Sequence, residues 1–221
     1  MTNRQVQSKQ RVADHGEVFT SDREIDAMLD LVKSETERIE SRFLEPACGT
    51  GNFLASILER KLTIIESRYA KSQLEYDRNL IIGVSSIYGI EIQKDNALKC
   101  RQRLFDLICN TYSNLFGTPI KEDLQESIKF ILKQNIVIGD ALNLMTITDD
   151  PKPIVFSEWS PVNGSMIKRR DFNFHALIKH EAIKDLPLFS DLGEDVFIPT
   201  PVREFPIIHY LKVAYAEQTQ S

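Results

Sequence analysis

Phe43-Leu44-Glu45-Pro46-Ala47-Cys48-Gly49-Thr50-Gly51-Asn52-Phe53-Leu54 runs from a short apolar stretch through an acid and two glycines into an amphipathic segment. The pattern predicts a strand, a tight turn and the start of a helix. Gly49 and Gly51 permit positive φ and carry no Cβ, so a ligand can lie against bare backbone where the first helical amides have no intrahelical partner. Such a turn holds a cofactor rather than a core. Gly-x-Gly alone is shared by dinucleotide folds, other nucleotide folds and ordinary strand–helix turns. The dinucleotide fingerprint wants a third glycine three residues after the second, and Leu54 stands there.

The stretch Leu-Glu-Pro-Ala-Cys-Gly-Thr-Gly-Asn-Phe-Leu resembles the S-adenosylmethionine (SAM) loop of N6-adenine DNA methyltransferases of bacterial restriction-modification systems. The resemblance implies that Glu45, Pro46, Ala47, Cys48, Gly49, Gly51, Asn52 and Phe53 surround the cofactor. Upstream, Gly16-Glu17-Val18-Phe19-Thr20-Ser21 is similar to the segment that precedes this loop in the family, which implies that Phe19 and Thr20 line the methionine end. The family more often has proline where Ser21 stands, and both residues suit a helix start. Ser21 with Glu24 also forms a capping box ahead of an apolar stripe at Ile25, Met28, Leu29 and Val32, so a helix begins near Ser21.

Beyond the glycines, 53–87 reads as one long or two consecutive helices, with Leu54, Ile57, Leu58, Leu62 and Ile65 on one stripe. Leu80 to Val84 fits a buried helix or a strand, with helix favoured. A second strand at 86–92 carries Glu91 near its end, where a carboxylate suits a ribose diol. Glu91 lies 42 residues past Gly49, about twice the ~20 of a minimal unit, so an extra helix must intervene. Tyr88 to Ala97 resembles the family's second motif, which implies that Glu91 binds ribose and Ile92 flanks adenine. A helix follows from Asp95 to Phe116, closing at Gly117, and another from Lys121 to Lys133. Asn135 to Leu142 then reads as a third short buried strand. Its Asn-Ile-x-x-Gly-Asp-Ala-Leu pattern resembles the family's third motif and implies that Asp140, with Ala141 and Leu142, meets the adenine amino group. Without a ligand, Asp140 reads as an N-cap.

The family also carries Asn/Asp-Pro-Pro-Tyr/Phe to hold the flipped-out adenine. No such tetrapeptide occurs here, and its nearest analogues are Ser157 and Trp159, the catalytic candidates. Instead Val155 to Phe172 reads as a β-hairpin turning at Asn163-Gly164, in which Trp159 is a cross-strand packing residue with an exposed edge. The tail predicts a helix around 174–184 and a proline-punctuated connector to Pro206. The state of the apolar 207–215 stays open. The 82 residues from Asp140 to Ser221 do not hold the several ~30-residue units of a usual second half.

Composition sets the outer bounds. The 221 residues, 42% hydrophobic and 27% charged, fit one folded domain with no apolar run near the ~20 needed to span a bilayer. A polar leader, Met1 to Gln10, gives no export signal, so the expected location is the cytoplasm. Cys48, Cys100 and Cys109, like His175, His180 and His209, lack ligand spacing, so no metal and no disulfide framework is expected. A net charge of −5 sets any DNA contact as local or shared with a partner, the best local patch being Lys168-Arg169-Arg170. The combined expectation is an α/β, Rossmann-like class I SAM-dependent methyltransferase fold over 1–221. It has a cofactor core at 15–145 and a divergent part at 146–221, with the hairpin at 155–172. DNA would be met through a partner chain, in a homodimer or a complex with another restriction-modification subunit. The alternative is a non-catalytic SAM-binding regulatory module.

Overall fold

The computed structural model describes residues 20–178 and 200–217. Phe19, His180, the expected helical residues 179–184 and most of the connector lie outside the described residues. Helix α1, Asp22–Leu31, starts where expected. Glu24 N donates to Ser21 Oγ at 3.4 Å and Ser21 N to Glu24 Oε2 at 3.1 Å, while Ile25 and Leu29 are buried. A short α2, Lys33–Thr36, leads to β1, Phe43–Glu45. The long helical stretch resolves into α3, Asn52–Tyr69, and α4, Gln73–Ser85, broken where Ser72 Oγ caps the second by accepting from Glu75 N. Leu80 to Val84 therefore lies in a buried helix. Then come β2, Ile87–Glu91, α5, Lys94–Phe116, closed by Gly117 at φ +67°, α6, Glu122–Asn135, β3, Ile136–Asp140, and β4, Met145–Thr146.

β1, β2 and β3 are parallel neighbours in that order, and β4 adds antiparallel to β3. Leu44 pairs with Tyr88 and Ile90 with Val137, so all three strands run toward the same edge. Ile87 joins the main core with α3, α4, α5 and α6. Tyr88 and Ile90 face a smaller cluster with Ile154, Phe156 and Phe174. A strand buried on both faces shows no alternation, which is why β2 reads as a plain apolar run.

The approach to β1 is held from behind by Lys61 on α3. Its ammonium donates to the carbonyls of Arg38, Ile39 and Ser41 at 2.9, 3.0 and 2.8 Å, and none of the side chain reaches solvent. Three donors meet three acceptors, of which Ile39 O also accepts from Ser86 Oγ at 3.2 Å and Arg38 O from Ser41 N at 3.3 Å.

The second sheet is antiparallel. β5, Val155–Asn163, pairs with β6, Met166–Asn173; β7, Arg203–Glu204, and β8, Ile208–His209, both pair with β6 at different points along it. Asn163 is opposite Met166, so the turn is Gly164-Ser165, one residue later than the sequence suggests. The register slips between Pro161 and Asn163, where a proline without an N–H cannot keep the ladder and the strand bulges. The open question over 207–215 resolves as β8 followed by a 3-10 helix, Tyr210–Tyr215, lying on α6.

Two expectations for this half are corrected, the exposed edge of Trp159 and the free basic run. The catalytic candidates Ser157 and Trp159 are buried inside the sheet: Ser157 Oγ donates to Asp171 Oδ1 at 2.7 Å, and Trp159 Nε1 donates to Asn135 Oδ1 at 3.0 Å. Both side chains are engaged within the fold, and Trp159 keeps no exposed edge. The run Lys168-Arg169-Arg170 is not a free basic patch. Arg169 is buried against Asp171, Ser157 and the Phe205 ring, Arg170 pairs with Glu158 at 2.6 Å, and Lys168 with Glu204 at 2.7 Å.

Candidate functional site

The site is built at the carboxyl edge of the parallel strands, where β1 gives way to α3. Cys48 N donates to Ile90 O at 3.0 Å, which ties the turn to β2, and Gly51 N donates back to Cys48 O at 2.8 Å. Gly49 and Gly51 take φ of +53° and +83°. Gly51 is also crowded, since a Cβ there would lie 2.6 Å from Cys100 Sγ and 3.3 Å from Cys100 Cα on α5. Both reasons for glycine act at this one position. α3 opens with no side-chain cap and no acid in its first turn, so no side chain there compensates its leading amides.

Glu91, at the end of β2, is nearly buried and bridges two loops. One carboxylate oxygen accepts from Gly49 N at 2.8 Å and the other from Gln93 N at 2.9 Å. A carboxylate has about four acceptor positions, so two remain for a ligand. Replacing Glu91 by glutamine sets an amide donor against one of these N–H groups. The expected cost is about 2 kcal/mol, a fall of about 4–8 °C in a thermal melt, and an unchanged melt would show the brace to be idle.

Asp140, at the end of β3, is half-buried. Its Oδ1 accepts from Leu142 N at 2.8 Å and Asn143 N at 3.3 Å, and Oδ2 from Asn143 Nδ2 at 2.5 Å. The Leu142 amide above all holds the carboxyl below its usual range, so it is an anion at neutral pH. The capping role read from the sequence is thus present. Directly after the two acids stand uncovered apolar side chains, Ile92 at 52% and Leu142 at 93% exposure. Glu45 Oε1 accepts from Ala47 N at 3.3 Å at the tip of β1.

The structure therefore sets Glu45, Pro46, Ala47, Cys48, Gly49, Gly51, Glu91, Ile92, Asp140 and Leu142 along one edge of one sheet. Ala141 is half-buried and packs on the smaller cluster, and Phe53 packs on the main core. Thr20 is exposed just before the Ser21 cap, and no described contact joins it to the turn. Two residues escaped sequence reasoning. Cys100 lies under the turn, and Arg103, also on α5, donates from Nη1 to Asn52 Oδ1. Neither carries a local signal, since the contacts span some fifty residues. Among the described residues no group of three or more His, Cys, Asp or Glu could hold a metal ion, and no helix is long and apolar enough to cross a membrane.

Comparison with known proteins agrees with this geometry in one respect. A family model described as MmeI, DNA-methyltransferase domain, matches residues 7–148. That span takes in the glycine turn, Glu91 and Asp140 and stops short of the hairpin. No curated protein and no solved structure matches the chain.

Proposed function

The chain belongs to the MmeI DNA-methyltransferase domain family, and from that premise we propose that its strand tips bind SAM for methyl transfer to adenine N6 in DNA, in a Rossmann-like class I domain. SAM supplies an electrophilic methyl group on a sulfonium. The observation that carries the reading is the chemistry of adjoining tips: bare glycine backbone, a bridging Glu91 with acceptor capacity to spare, an ionised Asp140, and exposed Ile92 and Leu142. A nucleoside needs acceptors for its diol and amine and apolar surface for its base, and this donor and acceptor set fits one. Glu91 would take the ribose hydroxyls, Asp140 the adenine amine, and the glycine turn with the α3 amides the charged amino-acid end.

Replacing Asp140 by alanine removes a charge-assisted hydrogen bond of about 1.5–3 kcal/mol, so SAM affinity measured by calorimetry should fall by roughly 10- to 100-fold. Equal affinity in wild type and variant would remove Asp140 from the site.

A second reading follows from one observation. Ser157 and Trp159 are locked in the hairpin sheet, and the chain has no Asn/Asp-Pro-Pro-Tyr/Phe tetrapeptide to hold an adenine amine. The proposal therefore has the base-holding groups supplied by another chain, and its alternative is a SAM-binding module that regulates a partner. Transfer of labelled methyl from SAM to DNA separates these. Transfer only on adding the product of an adjacent gene supports the first, no transfer under either condition supports the second, and transfer by the chain alone defeats the need for a partner.

A further inference from the structure

The proposed methyl transfer uses no thiol, yet the fold places two of the three cysteine sulfurs beside the glycine turn. Cys48 is 5% exposed and Cys100 fully buried. The Cys100 thiol lies near enough to Cys48 to dominate its ionisation. Cys100 Sγ fills the space below Gly51, and Cys48 Sγ the space above Gly89, 2.9 Å from where a Cβ on that glycine would sit. Both sulfurs therefore line the underside of one short loop, and Cys48 belongs to that loop while Cys100 belongs to α5. From this juxtaposition we propose that Cys48 and Cys100 are an oxidisable pair, closed to a disulfide by a hydroperoxide, and that closure disables the turn for cofactor binding. The first half stands on the geometry alone; the second rests on the site reading above.

The chemistry balances with the hydroperoxide as oxidant. The Cys48 sulfur attacks a peroxide oxygen, the O–O bond breaks, and a sulfenic acid and one molecule of water (or alcohol) result. The Cys100 sulfur then attacks the Cys48 sulfur. The S–S bond forms, the S–O bond breaks, and hydroxide leaves as water with the Cys100 proton.

Access is set by the turn. Hydrogen bonding with Cys100 and burial push the Cys48 thiol far above its ordinary range, so the closed turn keeps the pair protonated and inert. The cover over it is short, with Pro46 and Ala47 exposed, and opening of this loop admits the oxidant. A disulfide fixes its sulfurs about 2.05 Å apart, closer than two thiols in contact. Cys48 is thereby drawn toward α5, and the bonds Cys48 N to Ile90 O and Gly49 N to Glu91 are strained together. By linkage, bound cofactor that holds the turn closed should protect the thiols, as closure of the disulfide excludes the cofactor.

The full chain carrying Cys109→Ser, which leaves one pair, is titrated with hydrogen peroxide. The expected result is loss of both thiols within one chain, a cross-link between the peptides holding positions 48 and 100, and SAM affinity weaker by roughly tenfold or more. Reductant restores affinity, and saturating SAM slows the loss of thiols. Cys100→Ala and Cys100→Ser, checked for folding by circular dichroism, should keep their affinity under peroxide. Persistence of both thiols at peroxide levels that oxidise free glutathione overturns the pair, and a disulfide with unchanged SAM affinity overturns its effect. Should the reduced chain bind no SAM, the site reading fails and takes that effect with it, while the thiol titration still decides the disulfide.

Discussion

Gly51→Ala should lower stability by about 2–5 kcal/mol and weaken SAM binding by roughly tenfold or more, and Gly51→Val should abolish binding. Two separate costs meet at this position. A side chain at φ +83° pays about 1–2 kcal/mol for left-handed backbone. The added Cβ would also sit 2.6 Å from Cys100 Sγ and 3.3 Å from its Cα. The sulfur could turn aside but the α5 backbone cannot, and overpacking of this kind costs about 1–3 kcal/mol. Relief must come from the turn itself, which moves the Gly49 amide off Glu91 and displaces the α3 amides proposed to hold SAM. Gly117→Ala separates the two costs, because Gly117 has φ +67° and open space where its Cβ would go. That variant should lose about 1 kcal/mol and keep full SAM affinity. Equal losses of affinity in both would mean that the crowding against α5 is irrelevant to the site.

The same comparison shows why the turn was legible and its support was not. Gly49, Gly51, Glu91 and Asp140 sit at strand ends, where local sequence dictates both conformation and exposure, and the Ser21–Glu24 capping box and the Gly117 helix stop are likewise local rules. The hairpin was readable to within one residue, the error arising because Pro161 shifts the register, a cooperative effect that the Asn-Gly signal does not contain. Residues whose roles depend on partners distant in sequence stayed hidden. Trp159 reads as a cross-strand packing residue with an exposed edge, and the structure covers that edge because Asn135, which also holds the carbonyls of Ser85 and Ile87, takes its indole N–H. Lys168-Arg169-Arg170 looked like a phosphate patch until the strands brought Glu158, Asp171 and Glu204 opposite it. Charge in a sequence is visible; whether it is already neutralised depends on pairing.

Lys61 is the strongest example, and Lys61→Met should be among the most damaging single changes outside the site. An exposed-looking lysine in Leu58-Glu59-Arg60-Lys61-Leu62 in fact donates to the carbonyls of Arg38, Ile39 and Ser41 together, and among the described residues only Ile39 O has a second side-chain donor, Ser86 Oγ at 3.2 Å. Methionine matches its length but removes three hydrogen bonds at the entrance to β1 and leaves the Ser41 carbonyl without a described donor, at a cost of roughly 3 kcal/mol. The midpoint of thermal unfolding should drop by about 6–12 °C. The pH dependence gives a second, independent signature. Burial lowers the Lys61 pKa from 10.5 to about 8 in the folded chain. Between those values the unfolded chain binds the extra proton, so raising the pH favours folding through this group. Its contribution is complete above 10.5 and is lost as pH falls through 8. The stability gap between wild type and Lys61→Met should therefore widen as pH rises from 8 toward 10.5, whereas other titrating groups cancel in the difference. A gap that stays constant over that window would mean that the lysine keeps its proton among the three carbonyls. Because Lys61 fixes the chain that enters β1, and β1 carries the glycine turn, the variant should also weaken SAM binding at temperatures where it remains folded.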